Sequence, residues 1–450
     1  MAGPDRVTHP RRDMSSAPLE QAQRTPFFAL LVSYGMVYFS LMIAMVAVPW
    51  FVLETTGSAA RTGIVAAVQG VPMVFAGIFG GVIVDRIGFK RTAMISDLMA
   101  AFAFGMIPLL YYTTGITFWQ LLFFVFLRAT FDTPGFTARH SMMPDIAERA
   151  GIRLERANSI GQTLMQSAIL LAPASAGILI GIIGSSTVLW ISTGMLLVSV
   201  TAVSIFIPTL KPSSQATVQS QTKYLGQLKG GFSFVLGTRV ILALMMTVMA
   251  VQFVRANQMV ILPVYGHDLY GTASSFGFMF AAMGAGGLIT AILFGIWGHR
   301  WPRRTVILVG AASLAFMFFM LSATPPYWII LVGMFIAGLM NGPMIPLVFT
   351  MIQEHTPSDL RGRVFGLYDA AIFTAMVPGR LLAGLLVEWT GLVQTLLIIG
   401  GTYLLAIAGM ILNPNLRDLR PPEPAGKAAE EDEAAPETAS TELAAEEARG

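Results

Sequence analysis

Arg128, Asp132, Arg255, Asp369 and Arg380 stand deep inside stretches that are otherwise almost free of charge. A charge at the centre of a bilayer costs at least ~2.5–3.5 kcal/mol on insertion scales, so each is expected to face a cavity or the protein interior with a partner. Arg128 and Asp132 are four residues apart and share a helix face. A carboxylate beside a guanidinium that cannot lose its proton makes a proton-sensitive pair. Asp132 could equally serve as the carboxylate that binds Arg86 or Lys90 at a nearby loop. Arg255 and Arg380 either line a cavity or act as structural glue on a carboxylate or a backbone carbonyl. Asp369 falls within ~8 Å of its helix end by helical rise and suits a cap or an ion pair there. Gln162 and Gln166, with Asn158 one turn earlier, form a polar stripe that lines a pathway or bonds a neighbouring helix. Gln252 and Asn341 read as single amides between helices. Glu54 reads as a solvated carboxylate at a helix end.

The elements that hold these residues are long apolar helices. Of the 450 residues, 55% are hydrophobic and 12% charged, about half the charge of a soluble globular chain. Runs of about 20 apolar residues fall at 27–53, 63–84, 92–113, 118–138, 158–183, 186–208, 240–265, 275–297, 305–323, 327–351, 364–388 and 391–412. Twelve spans put both termini on one side. Of the 28 Lys and Arg residues, all but Arg61, Arg128, Arg255 and Arg380 then lie on that side. The positive-inside rule makes it the cytoplasmic one, which implies a multi-pass protein of the plasma membrane. The expected organisation is a cytoplasmic tail (1–26), a six-helix bundle (27–208), a polar linker (209–239) with an amphipathic helix near 222–236, a second bundle (240–413), and an acidic, disordered cytoplasmic tail (414–450).

Several function classes drop out. There are no cysteines, so thiol chemistry and disulfides are excluded, and the five histidines are scattered. Neither metal-ligand spacing nor a Walker phosphate loop is present. No enzyme chemistry, metal or cofactor is expected, and a net charge of +3 suits basic loops at a lipid surface better than nucleic-acid binding.

The second span ends in Gly81-Val-Ile-Val-Asp85-Arg86-Ile-Gly88-Phe-Lys90-Arg91, and the eighth in Gly295-Ile-Trp-Gly-His-Arg300-Trp-Pro-Arg303-Arg304. Matching Gly81 to Gly295 also matches Arg86 to Arg300 and Lys90 to Arg304, and it lays the first span over the seventh. Such internal repeats are common among secondary transporters.

The first of these stretches resembles the signature loop of the major facilitator superfamily, and the second a degenerate copy of it. Arg128 resembles that family's midhelix arginine. Ala172-Pro173-Ala174-Ser175-Ala176-Gly177 resembles its Gly-Pro-x-x-Gly-Gly antiporter motif, with alanine at two glycine positions. Glu54-Thr-Thr-Gly-Ser58, Arg156-Ala-Asn158 and Leu360-Arg-Gly-Arg-Val-Phe-Gly366 are similar to the macrolide-efflux and enterobactin-exporter branch.

The resemblance covers about residues 27–413 and implies an all-α fold of two pseudo-symmetric bundles that rock about a central site. It implies export of amphiphilic drug-like compounds or secreted metabolites, with protons as the coupling partner. It also implies that the loop from Gly81 to Arg91 latches the two halves on the cytoplasmic side. The first span carries no acidic residue, so a proton carrier would have to be Asp132, Asp369 or the substrate's own carboxylate. The three arginines leave open an importer or facilitator of an anionic metabolite. A third alternative is a non-transporting sensor or scaffold, against which the signature loop and intramembrane charges argue. The abundance of Met (27) and Phe (30) suits a promiscuous apolar site as well as ordinary lipid-facing and packing roles.

Overall fold

The computed structural model describes residues 17–209, 232–357 and 360–414, and every regular element among them is helical. The first bundle comprises α1 (Ala17–Thr56), α2 (Ala59–Ile87), α3 (Phe89–Thr113), α4 (Phe118–Arg149), α5 (Leu154–Ile183) and α6 (Ser185–Phe206). The second comprises α7 (Arg239–Arg255), α8 (Gln258–Tyr270), α9 (Ala273–Trp297), α10 (Arg303–Ser322), α11 (Tyr327–Asn341), α12 (Met344–Glu354), α13 (Arg361–Thr390) and α14 (Leu392–Leu412). Taking α7 with α8, and α11 with α12, as single interrupted spans gives twelve crossings. The expected linker helix lies mostly outside the described residues, although 232–237 are helical. The acidic tail beyond 414 lies outside them altogether.

Local chemistry sets the boundaries. Ser58 accepts from Arg61 N at the start of α2, and Thr117 with Gln120 forms a full capping box on α4. Such caps satisfy backbone donors that a helix start leaves open. Gly88 ends α2 at φ 89°, a backbone region that glycine enters without steric cost.

Two spans expected to be continuous are broken. The seventh breaks after Arg255, where the Asn257 amide turns back to the Val254 carbonyl (2.8 Å). The tenth breaks at Gly342-Pro343, because proline supplies no N–H and clashes with the preceding turn. The fourth span extends well past residue 138, to Arg149, and α1 starts at Ala17, ahead of 27. Among the described residues ten helices or helix pairs are long and apolar enough to cross a bilayer alone, and α2 is apolar over a shorter stretch, Ala59–Val74. Helix α4 falls outside that set because Arg128, Asp132 and Arg139 lower its hydropathy.

Call the face where α1 begins and α14 ends proximal, and the opposite face distal. The bundles meet along two helix pairs, α2 with α13 and α5 with α9. One buried apolar cluster fills the distal half and draws on both bundles, from Phe51 and Ile180 to Tyr265 and Phe318. A smaller distal cluster joins Leu53 and Ala59 to Val264. The proximal clusters, around Tyr34 and Met142 in one bundle and around Met351 or Tyr368 in the other, each stay within a single bundle. Among the described residues the halves are therefore sealed to each other distally and not proximally.

Candidate functional site

Arg128 is buried at the middle of the first bundle. Its Nε faces Asp132 Oδ2 at 3.4 Å, its Nη1 donates to Ser192 Oγ (3.3 Å) and its Nη2 to Ser40 Oγ (3.2 Å). The guanidinium carbon lies 3.8 Å from the Phe104 ring centroid, within range of a cation–π contact. Ser40 and Ser192 are themselves paired across α1 and α6 at 2.7 Å.

The same arrangement recurs three helical turns toward the proximal face. Arg139 donates to Ser33 Oγ (2.8 Å), to Ser199 Oγ (3.4 Å) and to Asp97 Oδ2. Ser33 and Ser199 pair at 2.7 Å, and Ser199 also donates to Asp97 (2.6 Å). The first bundle thus carries two stacked rungs, each an arginine, a carboxylate and an α1–α6 serine pair.

The expectation that Arg139 lies with the loop charges is corrected here, since it is completely buried. Asp97, Ser33, Ser40, Ser192 and Ser199 were not anticipated. Two signals were present: Asp97 is a charge inside the 92–113 run, and Arg139 follows Arg128 by 11 residues, three turns of one helix face. Of the two readings for Asp132, the structure shows the Arg128 pairing. Lys90 instead donates to the Ser204 carbonyl (2.9 Å).

A cavity of about 180 Å³ lies between the bundles, lined by Met42, Met45, Gln69, Arg128, Asp132, Met259 and Arg380 among others. Arg380 crosses the interface, donating from Nη1 to the Ala66 carbonyl of α2 (2.8 Å). Its Nε is buried without a partner. A second recess of about 190 Å³ sits in the other bundle at the two helix breaks, lined by Gln252, Arg255, Asn341, Tyr368 and Asp369 among others. Asn341 also donates to the Gly310 carbonyl (3.4 Å), the interhelical role expected of it. Gln162 lines a third recess with Tyr34, Tyr38 and His140 in the proximal half, while Gln166 lines none of the three.

Ala172, Pro173, Ala176 and Gly177 are all buried and form the α5 side of a close seam. A Cβ added to Gly177 would meet the Ala273 carbonyl oxygen at 2.7 Å, and one added to Gly277 of α9 would run into the Pro173 carbonyl. The α2–α13 seam repeats this. A Cβ on Gly63 would meet the Arg380 carbonyl oxygen at 2.8 Å and Gly384 Cα at 3.0 Å.

The seams are symmetry mates. Gly277 follows Gly63 by 214 positions, while Gly384 follows Gly177 and Arg380 follows Pro173 by 207 each. The seam residue equivalent to the motif's Pro173 is therefore Arg380.

The signature loop shows the same logic. The surroundings of Gly81 and the side chains of Asp85 and Arg86 lie outside what is described, and Arg91 is exposed. Lys90 reaches the last turn of α6, and Arg304 donates to the Ile411 carbonyl (3.1 Å) at the end of α14. Each half thus places a cation on the negative end of its own last helix. Gly295 and Arg300 are exposed on the proximal side. Arg303 grips Glu354 by both nitrogens at 2.5 and 2.9 Å.

On the distal face, Glu388 of α13 accepts from Ser58 Oγ and from Ala60 N (3.1 Å), tying the second bundle to the first turn of α2. Glu54 is not merely solvated: it accepts from Trp50 Nε1 (2.7 Å) and from Ser185 Oγ at the start of α6.

The Major Facilitator Superfamily family model matches residues 30–254 and 244–447. The multidrug efflux pump Tap of Mycolicibacterium fortuitum is 30% identical over 381 residues, spanning 84% of this chain and 93% of that protein. Macrolide efflux protein A of Streptococcus pyogenes is 22% identical over 403 residues, spanning 88% and 96%. The crystal structure of the nucleoside transporter NupG superposes with a TM-score of 0.72 at 13% identity, covering 85% of this chain and 98% of that one, and shares the fold. With two matches that together span nearly its whole length, an all-helical pair of bundles and a cavity between them, the chain belongs to the Major Facilitator Superfamily, a family of transporters.

Proposed function

We propose that this protein exports amphiphilic small molecules, drug-like compounds or secreted metabolites, by alternating access coupled to proton antiport. The observation that carries the reading is the methionine-lined cavity between the bundles with the Arg128–Asp132 pair in its wall, in a chain 30% identical to a multidrug efflux pump. Flexible thioethers accommodate apolar cargo of varied shape. The proximal face is assigned to the cytoplasm of a plasma-membrane protein on the strength of its Lys and Arg excess. The described conformation is then open to the cytoplasm and sealed outside, ready to load cargo from within.

Asp132 is the proposed proton carrier. It shares the cavity wall with the cargo, so protonation and cargo occupancy act on one surface. Protonating it leaves Arg128 held by Ser40, Ser192 and the Phe104 face alone. The loop from Gly81 to Arg91 is the proposed latch of the opposite, outward-open state.

Dye and antibiotic accumulation in cells expressing the protein, with and without a protonophore, tests export and its energy source. Accumulation should fall on expression and recover with the protonophore, and Asp132→Asn should abolish the export, leaving accumulation high whether or not the protonophore is present. In proteoliposomes, export that ignores an imposed pH gradient would falsify the coupling.

A further inference from the structure

We propose that Arg380 is a specificity-determining residue that selects cargo bearing an acidic group, so that preferred substrates are anionic or zwitterionic amphiphiles. The inference deepens the export reading above and rests on it.

Among the described residues, the charges lining the central cavity are Arg128, Asp132 and Arg380. Two guanidinium groups face one carboxylate, which leaves a net single positive charge. That carboxylate is engaged by Arg128. Among the described residues Arg380 has a single hydrogen bond, to the Ala66 carbonyl. Its Nε is buried and unmet, and among the described residues no carboxylate lies within ion-pair distance of it. A guanidinium stays protonated whatever its surroundings, and an uncompensated buried charge is strongly unfavourable. A cargo carboxylate would relieve this, because its two oxygens match the planar fork of donors.

The location adds a reason. The Arg380 carbonyl packs on Gly63 in the seam while its side chain bonds the opposite bundle. An acid bound there competes with Ala66 for the same donors, so cargo would loosen one of the ties between the halves as it binds. Arg128 could not fill this role, since its donors are already taken by Asp132, Ser40 and Ser192.

The test is binding of rhodamine B, which carries a free carboxylate, against its ethyl ester, which does not. Both are titrated by fluorescence polarisation onto the purified full-length protein, with empty micelles subtracted. The acid should bind about tenfold more tightly than the ester, the scale of a charge-assisted hydrogen bond. Arg380→Gln should bring the two dyes within about twofold by weakening only the acid, and Arg380→Lys should keep part of the preference. Should Arg380→Gln fail to fold, the wild-type ratio and the Arg380→Lys ratio still decide. Equal binding of acid and ester by the wild type, or a preference that survives in Arg380→Gln, overturns the assignment and leaves amphiphile export standing. Binding of neither dye overturns both.

Discussion

The two bundles are alike where they touch and unlike inside. Their seams obey the internal two-fold down to the residue, with Gly63 against Gly384 and Gly277 against Gly177. The interiors do not. The first bundle pairs each of its buried arginines with a carboxylate and two serines. The second leaves Arg255 and Arg380 without a carboxylate within ion-pair distance among the described residues and breaks two of its helices beside Arg255 and Asn341. Symmetry is retained where the halves must move against each other. It is abandoned where charge is buried: in the proposed mechanism the first bundle handles protons and the second captures cargo. Interrupted helices near the midplane mark binding sites in transporters generally, and here they belong to the second bundle alone.

The comparison breaks most sharply at Asp97. Asp97→Asn strands Arg139 in a buried site and should cost ~3–5 kcal/mol, as loss of one partner of a buried pair does. The detergent-solubilised variant should unfold at a clearly lower temperature, and Asp97→Asn with Arg139→Gln should regain part of the loss. Arg255→Gln, with no carboxylate to strand, should shift unfolding far less. Equal shifts for Asp97→Asn and Arg255→Gln would mean the interiors are not different in kind.

The seams come next. Gly384→Val and Gly177→Val should each destabilise the distally closed state by ~1–3 kcal/mol through overpacking and reduce transport to a similar degree. Gly401→Ala, which has open space around it, should leave transport unchanged. A seam variant that transports normally while its mate does not would show that only one seam bears the rocking motion.

Glu388→Ala removes the acceptor that the distal end of α2 uses and should cost the closed state ~1–2 kcal/mol. The absence of cysteine lets spin labels be placed at Thr56→Cys and Thr390→Cys without background. The expected result is a larger fraction of long distances between them; an unchanged distribution would remove Glu388 from the gate. The smallest effect concerns Lys90 and Arg304. Alanine at either should cost only ~0.3–1 kcal/mol, the range for a cation at a helix end, and the two values should agree if the repeat assigns them one job.

Hydropathy and the one-sided distribution of Lys and Arg made the spans legible, because both respond to the bilayer directly. Arg128 and Asp132 were legible for the same reason: charges stand out in an apolar run. Arg139 did not, since it lies just past where the apolar run fades and resembles a loop charge. The serine pairs left no trace, because a lone hydroxyl in an apolar helix is commonly satisfied by the carbonyl a turn earlier. Only the packing of α1 on α6 reveals their cross-helix use.

The seam of α5 was visible through its proline and glycine. Its mate on α2 and α13 was hidden because the repeat changes register from 214 to 207, about two helical turns. An alignment at a single offset therefore stops matching somewhere between Lys90, which pairs with Arg304 at 214, and Pro173, which pairs with Arg380 at 207.

The buried rungs also set a problem of assembly order. Helix α4 carries charges that are costly in lipid, yet it is synthesised before α6 supplies Ser192 and Ser199. Asp132 sits on the same helix as Arg128, and Asp97 sits on α3, which is already made when Arg139 emerges. Each arginine can thus be neutralised during synthesis by a carboxylate that precedes it or lies in its own helix, while the hydroxyls arrive later to complete the shell. The order of the chain thus lets α3 and α4 insert as a hairpin, with charge matched first and hydrogen bonds second.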